Sequence, residues 1–265
     1  MNIIFLTPAD LSIAAILIIA LALLSVHLQL GFALQIIIAG IRTTVQLLLV
    51  GFILKAVFEH IHIAWLILIA GVMLISAGRE VMNRQKRRFK GWWGFGMGTL
   101  SMFISSFFIT FLALNVIIDI KPWYEPQYAI PLLGMMLGNT MNGISIGLDR
   151  LTQTVWEQRT VIEARLMIGH EWTKAIEAIR RESIRSGLIP IMNSMAVAGI
   201  VSIPGMMTGQ ILGGSIPLVA IKYQIAIMLS IFYTEYFSTI LAIVFSLKVG
   251  FNELDVLNQD IFIES

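Results

Sequence analysis

The sequence predicts an all-α protein that crosses a membrane several times. Hydrophobic residues make up 57% of the 265 residues and charged residues only 13%, against about a quarter in ordinary soluble domains. Several apolar runs reach the roughly 20 residues that are needed to cross the hydrocarbon core of a bilayer. Cysteine is absent, which excludes disulfides and thiolate metal sites. The chain is therefore expected to be a polytopic integral membrane protein.

We predict about seven transmembrane helices, which together form a single domain over residues 1–265. The apolar runs cover residues 11–28, 31–58, 63–77, 92–118, 128–148, 187–201 and 218–247. The second, fourth and seventh runs are long enough to tilt or to extend beyond the bilayer. The first run is expected to be a true span, because no basic region precedes it and no small-residue cleavage site follows it.

The basic residues predict the orientation of these spans. Residues 78–91 and 149–186 hold thirteen of the eighteen lysines and arginines, and such loops stay in the cytoplasm. With seven spans, both loops lie on the same side of the membrane. The N-terminus is then outside and the C-terminus is cytoplasmic.

The polar segment, residues 149–186, interrupts the apolar pattern. Apolar residues recur at helical spacing before Gly169 and again after it, and a glycine can terminate the first helix. The segment is therefore predicted to be a helix, a glycine turn and a second helix. Two roles fit this pattern: an amphipathic hairpin on the anionic inner leaflet, or a docking element for a partner protein.

Charged residues also occur inside the predicted spans. Arg42 lies near the middle of the second run, with Gln46 one helical turn further on, and Glu235 lies near the middle of the seventh. Because an ionised side chain at the bilayer centre costs at least about 2.5–3.5 kcal/mol, each should face protein or water. Either Arg42 and Glu235 neutralise each other, or one of them lines a substrate route.

Two apolar stretches contain unusually many helix-breaking and polar residues. The fifth run contains Pro131, four glycines and two amides, Asn139 and Asn142. This composition fits either close helix packing or an irregular helix that lines a pathway. Residues 202–216 are too apolar for an ordinary outer loop and too broken for a long helix, so we predict a re-entrant or gating segment there. Methionines in both stretches could bind a soft metal or serve as flexible filler.

Enzyme signatures are missing from the sequence. It has no Walker loop, no His-x-x-x-His and no Gly-x-Ser-x-Gly. We therefore predict that the chain is not an enzyme and binds no cofactor of its own.

The polar segment resembles a known coupling loop. The order Glu163-Ala164-Arg165, three apolar residues and Gly169 is similar to the Glu-Ala-Ala…Gly loop of ABC-transporter membrane subunits. In that family the loop sits in a groove of the ATP-hydrolysing subunit. The Ile-x-Leu-Pro that follows it in importers is missing here. The resemblance implies that residues 163–165 and Gly169 couple this chain to an ATPase.

Longer motifs resemble the FetB-type permease family, and the plant aluminium-sensitivity membrane subunits look similar. The motifs are Arg-Thr-Thr-Val-Gln at residues 42–46, Gly-Met-Met-Leu-Gly-Asn-Thr-Met-Asn-Gly-Ile-Ser-Ile-Gly-Leu-Asp-Arg at 134–150, and Ser-Ile-Pro-Gly-Met-Met-Thr-Gly-Gln-Ile-Leu-Gly-Gly at 202–214. The resemblance covers nearly the whole chain. It implies the permease subunit of an ABC-type exporter in the bacterial inner membrane, which moves iron or another small solute.

The same resemblance implies partners, and the polar and methionine residues of the apolar runs supply our own candidates for the substrate pathway. The partners are a separate FetA-like ATPase subunit, which uses ATP and magnesium, and a second copy of the permease. The candidates for the substrate pathway are Asn139, Asn142, Met206, Met207, Gln210 and Glu235. The alternatives are a stand-alone secondary transporter or channel, with Glu235 carrying protons, and a membrane scaffold without transport.

The ion-pair interpretation of Arg42 and Glu235 predicts the outcome of a charge swap. Arg42→Glu or Glu235→Arg alone should abolish folding or function, because each leaves two like charges in the membrane. The double swap should restore the yield of folded protein in gel filtration. Failure of the double swap, while both single variants are inserted normally, would rule out the pair.

Overall fold

A computed structural model describes residues 7–59, 62–89, 92–250 and 262–264. These residues form two compact units, one within Met1–His62 and one within Ile63–Ser265. Each unit is described separately below.

The first unit is a helical hairpin of α1, Pro8–His27, and α2, Ala33–Glu59. A capping box begins α1: the Asp10 amide donates to Thr7 Oγ1 at 3.4 Å, and the Thr7 amide donates to Asp10 Oδ2 at 2.8 Å. The hairpin turn contains Gly31 with φ +74°. The two helices approach closely at Gly40, where a Cβ atom would lie 3.1 Å from the side chain of Ile18.

The second unit contains nine α-helices in the described residues. They are α3 Ile63–Asn83, α4 Trp92–Met102, α5 Phe108–Leu112, α6 Pro126–Glu157, α7 Arg159–Met167, α8 Trp172–Ala175, α9 Glu177–Val197, α10 Gly205–Leu212 and α11 Pro217–Gly250. Two π-helical turns flank α5. The first, Phe103–Phe107, joins α4 to α5, and the second, Ala113–Ile117, extends α5. The predicted helical class is confirmed.

Five helical stretches are long and apolar enough to cross a membrane, by length and composition. Among the described residues these are Ala9–His27, Ala33–Glu59, Ile63–Asn83, Trp92–Ile117 and Pro217–Gly250. The predicted fifth and sixth spans lie on α6 and α9, which do not meet this criterion. Both helices carry amides and charged residues beside their apolar ones, and this lowers their mean hydropathy. The count of seven spans and the orientation therefore stay predictions.

The helices α6 and α9 do not end where the apolar runs end. The fifth run was expected to stop at residue 148, but α6 continues to Glu157. The sixth was expected to begin at residue 187, but α9 begins at Glu177. At 1.5 Å per residue, the 32 residues of α6 span about 48 Å. About half of the polar segment is therefore built from extensions of these two helices, and α7 and α8 lie between them.

The fifth run, for which close helix packing and an irregular pathway helix were both open, forms a regular helix. α6 is uninterrupted from Pro126 to Glu157, with Pro131 inside its first two turns. The irregular backbone lies in the fourth run instead, as the two π-helical turns. The first of these turns holds the buried Ser105 and Ser106, and π turns of this kind are frequent at functional sites.

The core of the second unit lies around α6, which packs against α3, α9 and α11. Buried residues such as Ile144, Leu148 and Ile243 form one continuous cluster with Ile162 and Ile176 of the polar segment. Small residues allow the helices to approach: a Cβ at Gly187 would lie 2.6 Å from the carbonyl oxygen of Gly143. This contact brings the backbones of α6 and α9 together.

Two short elements complete the unit. Strand β1, Arg87–Phe89, pairs antiparallel with β2, Phe262–Glu264, so that Arg87 faces Glu264 in register. The sequence had not predicted this pairing. Residues 202–216 contain α10, which ends in a left-handed turn at Gly214 with φ +95°. The broken, partly helical conformation agrees with the prediction, whereas its re-entrant position in a membrane stays a prediction.

The contact at Gly187 predicts the effect of an added methyl group. Gly187→Ala should lower the free energy of unfolding by about 1–3 kcal/mol, because the new Cβ overlaps the Gly143 carbonyl and forces α6 and α9 apart. Thermal unfolding of the detergent-purified protein measures the loss. The matched control is Gly138→Ala on α6, where a Cβ meets nothing within 4 Å. Equal unfolding temperatures of the two variants would contradict the close approach.

Candidate functional site

The most enclosed charged side chain in the described residues is Glu235 on α11. It is 1% exposed, and its neighbours Thr234, Ser238 and Thr239 are fully buried. The carboxylate lies against Gly143 of α6, where a Cβ would be 2.7 Å from Oε1. Only glycine at position 143 therefore leaves room for this carboxylate.

Two hydroxyl groups near Glu235 are bonded to backbone or sulfur atoms, whereas the buried Thr239 Oγ1 has no hydrogen-bond partner among the described residues. Thr234 Oγ1 donates to the Ser230 carbonyl at 2.6 Å and lies 3.4 Å from Met136 Sδ. Ser238 Oγ donates to the backbone carbonyl of Glu235 at 3.1 Å. Within the described part of the chain, no hydrogen bond reaches the Glu235 carboxylate. A buried polar group without a hydrogen-bond partner is costly.

The position of Glu235 along the length of the helical bundle follows from the residues that it contacts. Gly143 adjoins Asn142, whose Oδ1 accepts a hydrogen bond of 2.6 Å from Arg84 Nη1. Gly143 also contacts Gly187, the residue at which the sixth apolar run begins. Glu235 therefore lies at the level where α3 ends and its basic loop begins, rather than midway along the apolar bundle.

The predicted pathway residues on α6 differ in their surroundings. Asn139 is half-buried, and its Nδ2 donates to the Met135 carbonyl of its own helix at 2.8 Å. Asn142 is exposed apart from its bond to Arg84. The structure thus brings Asn142 and Glu235 together on the two sides of Gly143, with Asn139 one turn away on α6.

The other pathway candidates lie on α10. Met206, Met207 and Gln210 are half-buried there, and the buried Gln210 Oε1 has no hydrogen-bond partner. The residues between Leu212 and Pro217 hold α10 near the beginning of α11. Glu235 is 18 residues, or about 27 Å, further along that helix. The structure therefore separates the candidates into two groups at different levels.

The basic loop after α3 contacts α6 at three residues that are seven positions apart in the sequence. Arg84 bonds Asn142, the Lys86 amide donates to Asp149 Oδ1 at 2.9 Å, and the Arg87 guanidinium lies 4.4 Å from the centre of the Trp156 ring. Sequence reasoning treated this loop only as a signal of orientation. The repeat of polar or aromatic residues at 142, 149 and 156, two helical turns apart, could have indicated the contact.

The predicted coupling residues cluster at the turn between α7 and α8. The His170 amide donates to the Arg165 carbonyl at 3.1 Å and the Gly169 amide to the Leu166 carbonyl at 2.9 Å, which is the Schellman pattern. Gly169 has φ +90°, a conformation that favours glycine. The predicted glycine turn is confirmed.

Arg165 stabilises this turn, because its Nη1 donates to the Ala175 carbonyl at 2.9 Å. Glu163 is half-buried and Ala164 is exposed. Two of the apolar residues before Gly169 are strongly exposed, Met167 at 84% and Ile168 at 74%. They form an apolar surface at the tip, and we call Met167, Ile168 and Gly169 the apolar turn.

Several other apolar residues of the polar segment face inward, although Val161 is 50% exposed. Ile162 is 1% exposed and Ile176 is 0% exposed, and both belong to the cluster around Leu151 and Val155 of α6. Their apolar faces are thus occupied by protein. This burial favours a docking element over an amphipathic hairpin lying on lipid.

Arg42 and Gln46 lie on α2 in the first unit, whereas Glu235 lies in the second. Their proposed ion pair stays a prediction. Among the described residues, no group of three His, Asp or Glu side chains could hold a metal ion.

The Glu235 site predicts the effect of removing its charge. Glu235→Gln keeps the volume, so the variant should fold with unchanged or higher thermal stability, because a buried charge without a hydrogen bond opposes folding. Thermal unfolding measures this change, and Ser238→Ala on the same helix is the control. If Glu235→Gln instead loses about 3–5 kcal/mol, the carboxylate belongs to a buried ion pair.

Comparisons with known proteins identify relatives over nearly the whole chain. Residues 8–251 match the sequence profile of a family described as uncharacterised protein family UPF0014. The UPF0014 membrane protein slr1647 of Synechocystis is 43% identical over 206 residues, or 78% of this chain and 79% of the relative. No solved structure matches the chain.

Two further relatives have names that state a function. The "Probable iron export permease protein FetB" of Escherichia coli is 29% identical over 93% of both chains. The "Protein ALUMINUM SENSITIVE 3" of Arabidopsis thaliana is 30% identical over 81% of this chain and 77% of the relative. The resemblance drawn from the sequence motifs is therefore confirmed, and the chain belongs to the UPF0014 family of membrane proteins.

Proposed function

We propose that this chain is the membrane-spanning subunit of an ABC-type exporter of iron or another small cation. It works as a homodimer in the bacterial inner membrane, and a separate ATPase subunit binds ATP and magnesium. The permease itself hydrolyses nothing. Seven spans, which include α6 and α9, place the N-terminus outside and the polar segment in the cytoplasm. The name of the FetB relative supports the cargo and the direction of transport.

The observation that carries this proposal is the exposed apolar turn on a rigid support. Met167 and Ile168 protrude, while Ile162 and Ile176 anchor α7 and the segment after it to the core of the bundle. The flanking helices α6 and α9 continue directly into the predicted membrane region. A push on the turn by an ATPase is transmitted through these helices to their contact at Gly143 and Gly187.

Glu235 lies beside the contact between Gly143 and Gly187. A movement of α6 relative to α9 would therefore affect the candidate pathway. A change in the spacing of α6 and α9 alters the space around the carboxylate, because Gly143 touches both Glu235 and Gly187. A carboxylate attracts a cation, and Asn139 offers an amide oxygen on α6, whereas the amide oxygen of Asn142 is bonded to Arg84. We infer that these residues form the cytoplasmic end of the pathway. Met206, Met207 and Gln210 belong to its outer end.

A secondary transporter is the second candidate, favoured by the buried Glu235 carboxylate that lacks a hydrogen bond. Such a residue can carry a proton through a membrane protein. Reconstitution separates the two candidates. Transport by the chain alone on a proton gradient supports the second, whereas transport that requires the ATPase and ATP supports the first.

The docking role of the apolar turn predicts a selective loss of partner binding. Replacing both Met167 and Ile168 by Asp should reduce co-purification of the ATPase subunit at least about tenfold, because about 1.4 kcal/mol of apolar contact is enough for that factor. Thermal stability should not change, since both side chains are exposed.

The matched control is Ile200→Asp, which changes a side chain of similar exposure, 87%, beyond the other end of α9. It should leave the ATPase bound. If all variants retain the ATPase equally, docking at the apolar turn is ruled out. Reconstitution would then still test the transport function separately.

A further inference from the structure

An apolar groove lies between the beginning of α4 and the end of α11. Its volume is about 630 Å³, within the range of sites that hold small molecules. The side chains that define it are Trp92, Trp93, Leu100, Phe245, Lys248 and Val249, with Gly96 at its centre. The pathway residues and the apolar turn take no part in it.

The helical repeat explains why the groove exists. Trp92, Gly96 and Leu100 follow one another at intervals of four residues along one face of α4. Gly96 leaves the middle of that face empty, and a Cβ there would meet nothing within 4 Å. Met97, 5% exposed, packs below the groove and closes its floor.

The only charged side chain of the groove among the described residues is Lys248, in the last turn of α11. No acidic side chain in the described part of the chain forms an ion pair with it. The basic loop that holds Arg84 and Lys86 precedes α4, so the groove opens at the most basic end of the bundle. Tryptophan side chains, here 84% and 60% exposed, favour the boundary between hydrocarbon and headgroups.

We propose that this groove binds one anionic phospholipid. An acyl chain lies along the apolar face over Gly96, the two indole rings flank it at headgroup level, and Lys248 binds the phosphate. Apolar walls beside a single lysine fit a lipid better than a soluble phosphate. The walls contact an acyl chain, whereas a soluble phosphate would bind only to the one cation. The site lies next to the basic loop after α3, so the lipid would contact both α4 and α11 at the end of the bundle that we propose to be cytoplasmic.

Native mass spectrometry of the full-length protein in detergent tests the proposal. The probes are dioleoyl phosphatidylglycerol, dioleoyl phosphatidylcholine and soluble glycerol phosphate. The wild type should retain phosphatidylglycerol about fivefold more tightly than phosphatidylcholine, the factor expected for one lysine at an anionic headgroup. It should not retain glycerol phosphate.

Three variants locate the binding. Gly96→Phe fills the groove and should abolish retention of both lipids. Gly71→Phe on α3 is its matched control, because a Cβ at Gly71 also meets nothing within 4 Å, and it should bind as the wild type does. Lys248→Gln should keep lipid binding but lose the preference for phosphatidylglycerol, and this exposed substitution does not endanger folding.

Each opposite result overturns the proposal. Unchanged retention by Gly96→Phe places the lipid elsewhere, and an unchanged headgroup preference in Lys248→Gln removes the role of the lysine. If glycerol phosphate binds as tightly as the lipid, the site recognises free phosphate. If Gly96→Phe dissociates a dimer without changing lipid retention, the occupant is a second copy of the chain.

Discussion

The close packing of α6, α9 and α11 around glycine is the constraint on which the rest of the structure depends. Gly143 admits both the Glu235 carboxylate and the backbone of Gly187, so three helices share one narrow contact. In a membrane protein, helix association relies on this kind of small-residue packing, because lipid is as apolar as the helices themselves. The same contact places a buried carboxylate beside a junction whose spacing can change. The residues that pack the three helices together are therefore also the residues that surround the carboxylate of Glu235.

Continuity of the helices connects this junction to the surface. The helices α6 and α9 run without a break from the glycine contact into the polar segment, and the apolar turn follows at the end of the separate helix α7. The basic loop after α3 adds a second connection, since it binds α6 at Asn142, Asp149 and Trp156. In the proposed function, these contacts connect the apolar turn to the glycine contact. The two π-helical turns belong to the fourth run.

Local features of the structure could be predicted well from the sequence. The helical class, the existence of most helices and the turn at Gly169 depend on apolar periodicity and on a glycine with positive φ, which are properties of neighbouring residues. The ends of α6 and α9 could not be predicted, because the composition changes from apolar to polar while the helix continues. The regular helix of the fifth run could not be chosen over an irregular one from the sequence, for a related reason. Glycines and amides disfavour a helix locally, yet packing against α9 and α11 keeps α6 regular.

By itself, the sequence determined that this is a membrane protein, which of its loops are basic and which family it resembles. Each of these depends only on the types of residues and their order along the chain. Only the tertiary structure decided that Glu235 meets Gly143, that Asn142 binds Arg84 and that α10 lies apart from both. It also decided that Ile162 and Ile176 face protein and that Met167 and Ile168 do not. Each of these facts depends on residues far apart in the chain, and periodicity along one helix carries no information about which helix its face will meet.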